Sequence, residues 1–136
     1  MSAATDGRLT IVAVDGAPKA IGPYSQGIVA GGFLFTAGQV PLDPGTMKVV
    51  EGDISRQTSR IFDNLAAVLA GAGCTFGDVV KATVFLADLQ DFAEMNKVFA
   101  ERFGEHRPAR STVEVSKLPA GARVEIDLTA LVPTKS

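Results

Sequence analysis

The chain has 136 residues, the length of one domain around one core. Hydrophobic residues make up 46% and charged residues 21%, and the net charge of −2 supplies no overall field toward nucleic acid or an anionic membrane. A single cysteine (Cys74) and a single histidine (His106) exclude an internal disulfide and any His/Cys metal spacing. No apolar run approaches the roughly 20 residues that span a bilayer.

Met1 to Leu9 is polar and lacks the apolar segment of a secretory leader. Residues 1–8 are expected to form a flexible tail of a single domain spanning 1–136, in a cytoplasmic protein without metal or cofactor. Leu9 to Val14, apolar and β-branched, predicts an opening strand. Gly16-Ala17-Pro18 breaks it, and Ile21-Gly22-Pro23-Tyr24 is a second stiff, turn-prone stretch. Ser25 to Ala30 and Phe33 to Val40, split by Gly31-Gly32, predict a hairpin with a turn that needs positive φ. Pro41 to Gly45 predicts a loop with a tight turn at Asp43-Pro44-Gly45.

Asp53 is the expected N-cap of a long helix whose stripe is Ile54, Thr58, Ile61, Leu65, Val68 and Ala72, with Gly71 and Gly73 available to end it. Val79 to Leu86 predicts a strand that buries Val80, Ala82, Val84 and Leu86 and turns Lys81, Thr83 and Phe85 the other way. Asp91 and Glu94 have the spacing of a capping box, opening a second helix with the stripe Phe92, Met95, Phe99 and Phe103 and a stop at Gly104. Cys74 is expected to be a small buried hydrophobe and His106 a surface or helix-end residue rather than a general base.

The stretch Pro108 to Ile126 holds two further strands around a Pro- and Gly-containing loop. Alternation puts Ser111, Val113 and Val115 on one face and Arg110, Thr112 and Glu114 on the other. In the last strand Val124, Ile126 and Leu128 oppose Arg123, Glu125, Asp127 and Thr129. If the two strands pair with apolar rows inward, both polar rows share one side of the sheet. With only two helices available, one face of that sheet stays uncovered, either wet or closed against copies of the chain. Sites shared between subunits would then arise.

Arg110 can hold a carboxylate through two parallel hydrogen bonds, or it can pair with Glu114 or Glu125. Glu125 can move protons to and from a bound water, or be a solvated strand carboxylate. Four stretches resemble the Rid (YjgF) family: Pro108-Ala-Arg-Ser-Thr-Val-Glu-Val-Ser-Lys-Leu118 with Arg123-Val-Glu-Ile126, Ala20-Ile-Gly-Pro-Tyr-Ser-Gln26, Thr36-Ala-Gly-Gln-Val-Pro41, and Asp88-Leu-Gln-Asp-Phe92 leading to Asn96. The resemblance implies a chorismate-mutase-like α+β domain, a mixed sheet with two helices on one face, assembled as a homotrimer with clefts between subunits. It implies hydrolysis of enamines and imines such as 2-aminoacrylate, 2-iminopropanoate and 2-iminobutanoate to 2-oxo acids and ammonia. Such imino acids escape from pyridoxal-phosphate enzymes and damage them.

On this resemblance Arg110 and Glu125 are the expected catalytic pair, with Tyr24, Gly38, Asn96 and Thr112 lining the substrate. Tyr24 and Asn96 each have a plain packing role as the alternative, over a turn and at a helix edge. The chain departs from the usual family pattern at Thr112, where many members have Cys, and at Ala37, where many have Ser. Thr112 removes thiolate chemistry, and its contribution would come from backbone groups. The alternative function is a non-catalytic ligand-binding, chaperone-like or ribonuclease member of the family. The acidic balance and lack of a basic aromatic stripe weigh against nucleic acid as partner.

Overall fold

The computed structural model describes residues 2–4 and 7–134. Seven strands and two long helices follow in the order β1 (Ser2–Ala4), β2 (Leu9–Val12), β3 (Gly27–Ala30), β4 (Phe33–Thr36), α1 (Ile54–Gly71), β5 (Val79–Leu86), α2 (Phe92–Phe103), β6 (Ala109–Glu114) and β7 (Val124–Leu131). They form one mixed sheet in the order β1-β2-β3-β4-β7-β5-β6. The α+β architecture expected from the sequence is thus the one observed. Within the stretch expected to be a tail, Ser2–Ala4 pairs antiparallel with β2, while the remainder of that expectation falls partly on Met1, Thr5 and Asp6, outside the described residues. No helix among the described residues is long and apolar enough to cross a membrane.

The Gly31-Gly32 hairpin forms as its sequence demands: Ala30 faces Phe33, and both glycines sit at positive φ (59° and 86°). Asp53 caps α1 by accepting from the Arg56 amide at 3.0 Å. The α1 stripe reaches the core at Ile54, Thr58, Ile61, Leu65 and Val68, where it meets Met95, Phe99 and Phe103 of α2. Phe62, also fully buried, stacks edge-on against Phe99 and Phe103 with centroids 5.7 Å apart. Beneath the helices lie Val12 of β2, Leu34 of β4, Ala82, Val84 and Leu86 of β5, and Val124, Ile126, Leu128 and Ala130 of β7, the inward rows of these four strands. Cys74 is buried as expected, its Sγ near the Leu131 carbonyl.

Three expectations are corrected. Val80 is exposed and Val79 takes its place in the core, because a bulge lies between Val79 and Lys81 in the pairing with β7 and shifts the alternation by one residue. Asp91 sits at the N-cap of α2 without capping it. Its carboxylate instead binds Arg123 at 2.8 Å, and Glu94 accepts from Ser55 Oγ, so the capping-box pair serves tertiary contacts. Phe92, placed in the α2 stripe by spacing, lies at the exposed margin of that helix.

The largest correction concerns β6 and β7, which do not pair. β5 lies between them, parallel to β6 and antiparallel to β7. Arg110, Thr112 and Glu114 stand opposite Ala82, Val84 and Leu86, whose other neighbours are Leu128, Ile126 and Val124. Register partners share a face. Arg110 and Thr112 therefore belong to the helix-covered face. Glu125, Asp127 and Thr129 stand opposite Phe85, Thr83 and Lys81 on the open face.

Candidate active site in two halves

The first half is built on β6 and α2. Arg110 lies over the rings of Phe99 and Phe92, its guanidinium carbon 4.7 and 5.4 Å from their centroids. Its Nη1 donates to Asn96 Oδ1 at 2.7 Å. Phe92, Asn96 and Phe99 recur at helical spacing, so α2 presents a platform with one polar acceptor in it. Burial lowers Arg110's pKa. Among the described residues no carboxylate pairs with Arg110. Glu114, one suggested partner, instead accepts from the Leu89 amide at 2.9 Å. Arg110 lines a hollow of about 370 Å³ with Asn96, Phe99, Ala100, Arg107 and Pro108. Two guanidiniums and no carboxylate line it, the electrostatics of an anion site. Thr112 follows two residues on along the same face, its Oγ1 buried and without a hydrogen-bond partner.

The second half is built on β7 and two loops. Gln39 exchanges backbone hydrogen bonds with Ile126, donating at 2.8 Å and accepting at 3.1 Å. That bridge sets Gly38 against Glu125. A Cβ on residue 38 would lie 2.8 Å from the Glu125 carboxyl carbon, so only glycine lets this carboxylate lie over the backbone. Buried Gln26 fixes the other loop: its Oε1 accepts from the Val14 amide, and its Nε2 donates to the carbonyls of Val14, Ala17 and Pro18. Tyr24 follows two residues before it, its hydroxyl accepting from the Ile21 amide at 3.4 Å.

Tyr24, Gly38 and Glu125 share a hollow of about 410 Å³ with Ile21, Ala37, Val40, Leu42, Pro119 and Ala120. Burial, with the charge of Asp127 added to it, pushes the Glu125 carboxyl above its ordinary value. Burial also raises Asp127, against the pull of Lys81. Lys81 Nζ in turn donates to Ser111 Oγ at 3.0 Å, closing a polar band across β7, β5 and β6 on the open face.

The six expected site residues thus fall into two sets, Arg110 with Asn96 and Thr112, and Tyr24 with Gly38 and Glu125. Sequence reasoning missed the aromatic platform under Arg110, although the seven-residue step from Phe92 to Phe99 signals one helix face. Asp127 was legible only as a member of the same strand row as Glu125. The apolar wall of the second hollow comes from three separate segments and left no local signal. His106 is a helix-end residue as expected, its Nε2 2.7 Å from the Val79 carbonyl.

The fold is a mixed sheet with two helices on one face, with Arg110 held over two phenyl rings on that side and the raised Glu125 carboxyl on the other. Residues 14–132 match the family model described as Endoribonuclease L-PSP. A RutC family protein of Pyrococcus horikoshii is 52% identical over 120 residues, covering 88% of this chain and 95% of its own. The 2-iminobutanoate/2-iminopropanoate deaminase of Salmonella typhimurium is 45% identical over 123 residues, covering 88% and 95%. The crystal structure of the Rid-family protein YyfA of Yersinia pestis superimposes with a TM-score of 0.89 at 45% identity, over 91% of this chain and 99% of that one. The chain belongs to the L-PSP/Rid family, some of whose members are named imine deaminases.

Proposed function

We propose that the protein hydrolyses 2-imino acids such as 2-iminopropanoate and 2-iminobutanoate, and their enamine tautomers, to 2-oxo acids and ammonia, at clefts that two copies of the chain complete together. The observation that carries this reading is the placement of Arg110 and Glu125 on opposite faces of one sheet, each in a half-built hollow. A single chain cannot bring them to one small molecule. A neighbour whose α2–β6 edge meets the Glu125 hollow can, and repeating that head-to-tail contact closes a ring, with a trimer as the form the family resemblance implies. The unpartnered apolar residues of the open face support such an assembly.

In the completed cleft the substrate carboxylate lies on the Arg110 guanidinium, which Asn96 and the two phenyl rings hold in place. Glu125 accepts a proton from water as its oxygen bonds to the iminium carbon and the C=N electron pair moves to nitrogen. The raised carboxyl then returns that proton to nitrogen. The hydroxyl then gives its proton to Glu125 as its oxygen electrons form the C=O bond and the C–N bond breaks, and the departing ammonia takes that proton from Glu125 and leaves as ammonium. Water supplies the only atoms added, so the chemistry asks no cofactor of the protein.

Imino acid would be generated in place by an amino-acid oxidase and its disappearance followed. Wild type is expected to accelerate the loss, and Arg110→Ala and Glu125→Ala each to abolish the acceleration. Co-refolding the two inactive variants in equal amounts is expected to restore about a quarter of the wild-type rate, since in a head-to-tail ring roughly one cleft in four then holds both groups. No recovery in co-refolded, gel-filtered oligomers would refute the shared cleft. No acceleration by wild type would refute the deaminase reading itself.

A further inference from the structure

A third hollow, of about 160 Å³, lies between α1 and the loop that precedes it. Asp43 and Val50 line it from the loop, and Arg56, Ser59, Arg60 and Asp63 line it from one face of α1. It shares no lining residue with either half-site. The loop is a closed frame, with Leu42 bridged to Val49 and the Asp43 amide donating to the Lys48 carbonyl at 2.9 Å.

The charges around this hollow do not satisfy one another. Asp43 Oδ1 accepts from the amides of Gly45 and Thr46 at 2.7 and 3.1 Å, while its Oδ2 has no partner among the described residues. The Thr46 and Gly45 amides hold the Asp43 carboxyl below its ordinary value, so it is ionised. Arg60 is held in place by fully buried Asn64, whose Oδ1 accepts from Nε and Nη2 at 3.1 and 2.9 Å. Asn64 Nδ2 in turn donates to the Leu42 carbonyl at 2.9 Å. Arg60 Nη1 is left 4.0 Å from Asp63 Oδ2, beyond a hydrogen bond. Asp63 is answered by Arg102 of α2 instead, at 2.9 Å. The Arg56 guanidinium makes no hydrogen bond or ion pair among the described residues. Ser59 Oγ accepts from Arg102 Nη1 at 3.4 Å and keeps its own proton to donate.

A simple anion here would gain from Arg56 and Arg60 and lose to Asp43 and Asp63, and a simple cation the reverse. A molecule that carries both charges gains from both pairs. The size also fits, since a cavity of about 150 Å³ takes a molecule of about six heavy atoms, which is the size of alanine. We propose that this hollow binds a small free α-amino acid as its zwitterion, the carboxylate on Arg56 and Arg60, the ammonium on Asp43 and the short side chain against Val50. The site is separate from the imine chemistry and does not depend on it.

The test titrates the full-length, ¹⁵N-labelled protein with L-alanine and follows its amide resonances. Saturable shifts are expected at Gly45, Thr46, Ser59 and Arg60. Arg56→Gln removes an exposed, unpartnered cation, and Asp43→Asn keeps the oxygen that accepts from Gly45 and Thr46, so both variants should fold. Each is expected to raise the Kd about tenfold, the worth of one hydrogen bond to a charged group. Propionate and ethylamine, which each carry one of the two charges, are expected to bind at least about tenfold more weakly than alanine. Arg110→Ala is expected to bind alanine as wild type does. Absence of shifts around the hollow overturns the proposal, and so does propionate binding as tightly as alanine, which would mark a plain anion site. Binding that Arg110→Ala loses and Arg56→Gln keeps would place the amino acid in the imine cleft and overturn it equally.

Discussion

On the helix-covered face of the sheet Ala82, Val84, Leu34 and Ile126 are fully buried, whereas on the opposite face Phe35, Leu131 and Val113 remain 48%, 51% and 42% exposed. The two faces share strands and alternation, yet one is completed by α1 and α2 and the other is covered by no helix among the described residues. The covered face accounts for the stability of the domain. The open face carries Glu125, Asp127 and Lys81 among exposed aromatic and aliphatic residues. The contrast explains why the two candidate catalytic groups are separated. Arg110 gains its fixed geometry from the helix that covers one face, and Glu125 gains its raised carboxyl from the loops that fold over an edge of the other.

The contrast is tested most severely by removing one ring from each face. Phe62→Ala is expected to cost about 3–5 kcal/mol in denaturant unfolding, because the buried ring leaves a cavity among Phe76, Phe99 and Phe103. Phe35→Ala is expected to leave the folded chain intact and to lower the mass seen by sedimentation. Comparable losses of stability for both would erase the distinction between the faces.

Gly38→Ala comes next. The added methyl collides with the Glu125 carboxyl, and imine turnover is expected to fall about a hundredfold, the scale of a misplaced reacting group, while the thermal midpoint moves little. Asn96→Ala frees the Arg110 guanidinium from its acceptor without removing the charge. A rise in KM of about tenfold, the worth of one hydrogen bond to a charged group, with a smaller change in kcat, is the expected signature of a positioning residue.

Glu125→Gln has the smallest expected effect on stability and an informative sign. A carboxyl whose pKa is raised on folding binds more protons folded than unfolded, so its cost grows as pH rises from the ordinary glutamate range through the folded value. The glutamine variant should therefore melt slightly above wild type at pH 7, with the advantage fading at pH 4. An advantage that persisted or grew at pH 4 would show that Glu125 is not held in the raised state. The same substitution is expected to abolish imine turnover, so stability and activity should move in opposite directions at one residue.

Much of this molecule is local and therefore legible in its residues. The Gly31-Gly32 turn, the Asp53 cap, the α1 stripe and the row Val124, Ile126, Leu128 follow from positive φ, from orphaned helix amides and from periods of 3.6 and 2. The motif segments also identified the family and singled out six candidate site residues. Alternation, however, states which residues of a strand share a face and not which strand lies beside it. The insertion of β5 between β6 and β7, and a bulge at Val80, are choices made by long-range pairing. The insertion of β5 puts Arg110 on the helix side and Glu125 on the open side, and the bulge exchanges Val80 for Val79 in the core. The tertiary structure alone decided that the candidate residues are divided between two faces, because the order of strands is set by packing across the whole sheet and by nothing within either strand.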